Sequence, residues 1–156
     1  MKYKIAEGQE IDFKDADNSF FLIGLLNEFM NRYQVLADRF FDEISWKQCF
    51  LLICINLFKE APTLKEVSEM MGTSHQNVKQ MLIRLEKLDY VRLETDPEDK
   101  RKQRITLTEK TKKFNEEHDA PSQEIMNQLF SCIDKEELEI TINTILKLDA
   151  QLKLMR

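Results

Sequence analysis

Residues 63–108 read TLKEVSEMMGTSHQNVKQMLIRLEKLDYVRLETDPEDKRKQRITLT, and local signals inside this stretch decide the architecture. Thr63-Leu64-Lys65-Glu66 is a capping-box pattern, in which a Thr side chain and a Glu three residues on satisfy each other's orphan backbone amides. A short helix from Leu64 to Met71 follows, with Leu64, Val67, Met70 and Met71 on one face, and Gly72 supplies a tight turn. Thr73-Ser74-His75-Gln76 reads as a second capping box, opening a longer helix to about Leu88. Its apolar positions, Val78, Met81, Leu82, Leu85 and Leu88, are spaced by three and four. The period then switches from helical to alternating. Tyr90 to Thr95 and Arg104 to Thr108 each alternate as strands do, joined by the polar run 96–103 with its basic end. Two helices across a tight turn, followed directly by a β-hairpin, make a winged helix-turn-helix.

The flanks read as helix. From Asn18 to about Phe41, apolar residues recur at Leu22, Leu25, Leu26, Phe29, Tyr33, Leu36 and Phe40. A helix from about Ser45 to Lys59 is apolar nearly all round and is expected to be central; Pro62 stops it from continuing. Helical character returns from about Glu109 to Phe130. A last helix opens at the box-like Asp134-Lys135-Glu136-Glu137 and carries Leu138, Ile142, Ile145, Leu148 and Leu152. Residues 1–17 show no clear periodicity and are expected to form an irregular arm. The chain is thus expected to be mainly α with a small β-hairpin wing. The winged helix-turn-helix occupies 45–108, and 18–44 with 109–156 form a helical dimerisation region. That last assignment rests on Phe20, Phe21, Ile23, Phe29, Phe40, Phe41, Ile142, Ile145 and Leu152, more apolar surface than a small winged-helix core can cover. A twofold partner would bury it, and so, in part, would packing within one chain.

Composition narrows the function classes. The net charge is −5, yet residues 63–114 hold twelve Lys and Arg against nine Asp and Glu, leaving −8 on the remainder. Positive charge thus gathers where the helix-turn-helix lies. Only three glycines are present, and no phosphate-cradling loop, nucleophile–base pair or carboxylate pair stands out, so an enzyme is not expected. His75 and His118 do not cluster with other ligands at metal spacing, so neither a metal nor a cofactor is expected. Cys49, Cys54 and Cys132 are odd in number and lack a CxxC pair, which argues against a disulfide framework. The chain start turns polar before an apolar core develops, and the apolar run 50–58 is too short for a bilayer. A cytoplasmic protein without a membrane partner is the expectation.

The second helix of a helix-turn-helix can enter the major groove of DNA with its N-terminal residues facing base edges. That end here offers Thr73, Ser74, His75, Gln76, Asn77, Lys79 and Gln80. Gln and Asn suit adenine, and Lys suits guanine acceptors or phosphate. Polar residues on an exposed helix face are ordinary, so the helix pair alone also fits a packing role. The hairpin adds Lys100, Arg101, Lys102 and Arg104 on a protruding loop that can reach phosphates or a neighbouring minor groove. Double-stranded DNA carrying an inverted repeat is therefore the expected partner of a homodimer. A winged helix used for protein contact, and a DNA-binding regulator switched by a thiol, remain as alternatives.

The segment from Leu64 to Phe114 resembles the MarR family of bacterial regulators. The matching motifs are Leu85-Glu86-Lys87-Leu88, the wing Asp96-Pro97-Glu98-Asp99-Lys100-Arg101, and the Leu107-Thr108-Glu109 entry into the next helix. The resemblance implies a homodimer built from the first and last two helices, with Arg101 reaching the minor groove while Asp99 orients the wing. It further implies a repressor, often one that releases DNA when a small-molecule effector binds between the layers. Tyr33, Trp46, Cys49 and Phe50 are candidates for bordering such a pocket, and equally for plain core. The chain departs from the family at Asp89 and at Lys110-Thr111, where glycine is common.

Overall fold

The structure is a computed structural model. It describes residues 17–155 in full and, as backbone, residues 2–6 and 9–12. The described residues fall into two compact units, 1–108 and 109–156.

The first unit begins with an antiparallel pair, β1 (Lys2–Ala6) and β2 (Gln9–Asp12), in register from Lys2 opposite Asp12 to Lys4 opposite Glu10. An irregular arm does not describe these nine residues. Lys-Tyr-Lys-Ile alternates and Gln-Glu-Ile-Asp does so only from Glu10, over too few residues for the pattern to stand out before pairing is seen. The rest of the arm before residue 17 lies outside the described residues.

Helix α1 (Asn18–Ala37) starts at an Asp17 cap and tightens into a 3₁₀ turn, Asp38–Phe40. It is shorter than its apolar repeat predicts, because the Asp38 carboxylate turns to accept from the Trp46 backbone N–H (2.5 Å) and ties the helix end to the start of α2. Helix α2 (Trp46–Asn56) opens with a Ser45–Gln48 capping box. It is the hub of the unit, with Leu51, Leu52, Cys54 and Ile55 buried against α3 (Leu64–Met70), α4 (His75–Lys87) and the second wing strand. Strands β3 (Val91–Thr95) and β4 (Gln103–Leu107) pair antiparallel with Val91 opposite Leu107 and Thr95 opposite Gln103. The second unit consists of α5 (Glu109–Phe130) and α6 (Lys135–Leu154), the latter capped by an Asp134–Glu137 box.

Both helices of the helix-turn-helix end in the same backbone device. After α3, Gly72 N–H bonds the Glu69 carbonyl and Thr73 N–H bonds that of Ser68; after α4, Asp89 N–H bonds Glu86 and Tyr90 N–H bonds Leu85. This Schellman pattern needs a left-handed residue at the turn, and Gly72 (φ 64°) and Asp89 (φ 60°) supply it. Where the family commonly has glycine, Asp89 therefore takes the same conformation at a steric cost. A Cβ placed on Gly72 would meet nothing within 4 Å, so Gly72→Ala tests the backbone alone. We expect it to lower stability by about 1–2 kcal/mol, read as a shifted urea midpoint with an unchanged slope.

Candidate nucleic-acid interface

The cap of α4 is Ser74, one residue later than the sequence pattern indicates. Its hydroxyl accepts from Asn77 N–H (3.2 Å), while Thr73 Oγ1 accepts from the Asn77 side-chain amide (3.1 Å). Val78, Leu82 and Leu85 form the buried stripe of α4. The helical repeat leaves Gln76, Lys79 and Gln80 on the opposite side, at spacings of three and four. Ser74, His75, Gln76, Asn77, Lys79 and Gln80 are all exposed, and Thr73 is half-buried. In α3 the pattern is less faithful: Met70 faces outward, and Ser68 is buried with its hydroxyl donating to the Leu64 carbonyl (2.7 Å).

The wing is built on Asp96. Its carboxylate accepts from Glu98 N–H (2.8 Å) and Asp99 N–H (3.0 Å), an Asx-type turn that starts the loop. These amides, the Asp99 bond first, together with the Arg104 guanidinium, pull the Asp96 carboxyl down to about 2. A depressed carboxyl stabilises the fold above its ordinary value of 3.8 and loses that contribution as pH falls toward 2. The turn therefore stays intact through neutral and mildly acid pH.

At the tip, Asp99 accepts from the Arg101 N–H (3.1 Å) and Nε–H (3.2 Å), and Lys102 Nζ lies 3.5 Å away. The Arg101 side chain and those hydrogen bonds hold the Asp99 carboxyl below its usual range. Arg101 is nonetheless 92% exposed, directed outward by a carboxylate behind it. Lys100 and Lys102 are exposed as well. Arg104 differs. Its guanidinium reaches Asp96 and the Ala61 carbonyl inside the unit. The wing root is held at its other end by Thr108, whose hydroxyl donates to the Asp89 carbonyl (2.6 Å) and whose N–H bonds that of Tyr90 (3.1 Å).

His75 at the start of α4, Thr63 and Glu66 at the start of α3, and Arg101, Lys102, Gln103 and Arg104 of the wing line one groove of about 580 Å³. The recognition-like helix and the wing thus border a shared surface. Residues 44–102 match the model of the MarR family. This segment is a MarR-family domain.

Solved MarR-family proteins have the same fold. A MarR/EmrR family transcriptional regulator from Acinetobacter sp. ADP1 superposes with a TM-score of 0.78 at 17% identity, covering 92% of this chain and 99% of that one. S. aureus MepR, solved as a DNA complex, gives 0.73 at 21% identity, covering 82% and 95%. Streptococcus pneumoniae FabT, also solved in complex with DNA, gives 0.66 at 17% identity, covering 88% and 99%. A comparison with curated protein sequences finds no match.

Two further features lie in the first unit. Tyr90 Oη donates to Glu43 Oε2 (2.9 Å), joining the start of β3 to the segment before α2. A cleft of about 330 Å³ lies between α1, α2 and the start of α4, bordered by Met30, Gln34, Trp46, Phe50, Asn77 and Met81. Of the residues the sequence offers for such a pocket, Trp46 and Phe50 border this cleft, and Tyr33 packs edge-on against Trp46 at 5.0 Å. Cys49 instead is core, and burial pushes its thiol up to about 11. Cys54 is buried and shifted the same way. The thiolate is the reactive form, so neither suits oxidant sensing. Among the described residues, no His, Cys, Asp and Glu cluster could hold a metal ion, and no helix is long and apolar enough to cross a membrane.

Proposed function

We propose that this protein is a sequence-specific, DNA-binding transcription regulator of the cytoplasm, without catalytic activity, that binds an inverted repeat as a homodimer. One observation carries the reading: α4 presents exposed Gln76, Lys79 and Gln80, and its first residue, His75, lines one groove with the outward Arg101 of the wing. Such a pair matches what duplex DNA presents, base edges in the major groove for the helix and a negative minor groove for the guanidinium. Solved relatives of the same fold in complex with DNA support it.

The homodimer follows from exposed apolar residues. Helix α1 leaves Phe20, Ile23, Phe29 and Met30 exposed, and α6 leaves Ile140, Ile142, Leu146 and Leu152 exposed. Each such side chain is worth about 1.5–3 kcal/mol when buried, so a second copy is the natural cover. We infer that the effector of a ligand-responsive repressor would bind the cleft beside Trp46, because an occupant there would touch Asn77 at the start of α4.

Selection of bound duplexes from a random pool at near-physiological salt tests the reading. An enriched inverted repeat supports it. No enrichment, also after unfolding and refolding to remove a co-purified ligand, leaves a protein-contact winged helix instead. With the selected operator in hand, Gln76→Ala should relax preference at one base position, costing about 1–3 kcal/mol there, with little change for unrelated sequences.

A further inference from the structure

We propose that Arg104 is a positioning residue that sets the angle of the wing against the helix-turn-helix, and is not itself a DNA contact; the inference rests on the DNA-binding reading above.

Three parts of the first unit meet at its guanidinium. Nε donates to Asp96 Oδ2 at 2.5 Å, Nη1 donates to the Ala61 carbonyl at 3.0 Å, and Nη1 lies 3.9 Å from Glu66 Oε2. Asp96 begins the wing loop and its side chain is only 4% exposed. Ala61 belongs to the link between α2 and α3. Glu66 is the reciprocal member of the α3 capping box, accepting from both Thr63 N–H and Thr63 Oγ1 at 2.7 Å. The backbone follows the same path: Ile105 N–H bonds the Pro62 carbonyl (2.8 Å), and Thr63 forms a β-bridge with Arg104. β4 therefore runs alongside the α2–α3 link, and Arg104 pins the far strand's loop to that seam.

A guanidinium fork is suited to this task because its N–H groups diverge in one plane, toward a carboxylate on one side and a carbonyl on another. An ammonium keeps the charge but cannot span both. The consequence reaches Arg101. Its direction depends on Asp99, Asp99 sits on the turn closed by Asp96, and Asp96 is held by Arg104.

Two substitutions separate positioning from phosphate contact, the first by the size of the effect and the second by its sign. Arg104→Lys preserves charge, so a phosphate contact would leave binding nearly unchanged, whereas a positioning role predicts a loss of about tenfold. Asp96→Asn removes a negative charge from a DNA-facing loop, which by simple electrostatics raises affinity; positioning predicts that affinity falls. The double variant Arg101→Ala/Arg104→Lys should bind about as Arg101→Ala alone, because both changes remove the same wing contact. Amide hydrogen exchange of the free protein supplies a readout that needs no DNA. Glu98, Asp99 and Ile105 should exchange faster in Arg104→Lys, while Leu82 and Leu85 of α4 keep wild-type protection and report an intact fold. Should Arg104→Lys not fold, Asp96→Asn carries the same exchange and affinity measurements. Wild-type affinity in Arg104→Lys, raised affinity in Asp96→Asn, multiplied losses in the double variant, or unchanged exchange at Glu98 and Asp99 would each overturn the proposal. Absent DNA binding by the wild-type protein would sink the regulator reading, with the exchange measurement still deciding whether Arg104 anchors the wing.

Discussion

Leu85→Ala is expected to lower the unfolding free energy by about 2–5 kcal/mol. Leu85 is fully buried on the inward stripe of α4, with Val78 and Leu82 beside it. Truncation removes transfer energy and leaves a cavity, since the surroundings are tied in place and collapse only partly. The Leu85 carbonyl accepts from Tyr90 N–H at 2.9 Å, and Tyr90 is itself bonded to Glu43. The backbone on both sides of the cavity is thus anchored, which favours the upper part of the range. Trp46, the one tryptophan of the chain, reports unfolding by its fluorescence in a urea titration. The titration is made at one protein concentration, because a dimer's stability depends on it. On the same helix Ile83 is half exposed, and Ile83→Ala should change stability by no more than about 0.5 kcal/mol. Equal costs at the two positions would mean that α4 does not pack as described.

Arg101→Ala should weaken DNA binding by on the order of tenfold to a hundredfold, on the selected operator and on scrambled duplexes alike. Its side chain is 92% exposed, so removing it leaves no hole and costs the fold little. The Asp99 carboxylate already restrains the guanidinium through Nε and the backbone N–H, so little ordering entropy opposes its contact with DNA. A backbone or minor-groove role also predicts the salt dependence. The slope of log affinity against log salt should fall in magnitude by about 1, the share of one neutralised phosphate. Anisotropy titrations of the variant at several salt concentrations measure both quantities. Wild-type affinity with a wild-type slope would remove the wing from the interface.

These expectations draw unequally on sequence and structure. Signals that act within one turn of backbone were legible directly. The Thr63–Glu66 and Asp134–Glu137 boxes mark helix starts because a short side chain meets amides two and three residues on, and they hold at Thr63 and Asp134. At α4 two hydroxyl residues stand side by side, and the pattern preferred Thr73 where the fold uses Ser74. Thr73 is instead the acceptor for Asn77, a choice made by where the preceding turn at Gly72 delivers the chain. Helix faces were legible where apolar side chains recur over four turns, as in α4. They are not legible in α3, whose seven residues leave Met70 and Ser68 to be sorted by neighbours.

Arg104 shows the same division at the candidate site. In the sequence it stands in a basic run with Lys100, Arg101 and Lys102, and nothing in one dimension distinguishes their tasks. Asp96 lies eight residues away across the hairpin and Ala61 lies forty-three residues away on another link. By itself the sequence determined the order and type of the helices from residue 18 onward, the wing between two strands, the gathering of positive charge there, and the residues offered to a groove. These are properties of local backbone preference and repeat, which neighbours in the chain decide. Only the tertiary structure decided which cation faces outward and which is spent holding the wing, because that depends on a buried carboxylate and a carbonyl brought together by folding.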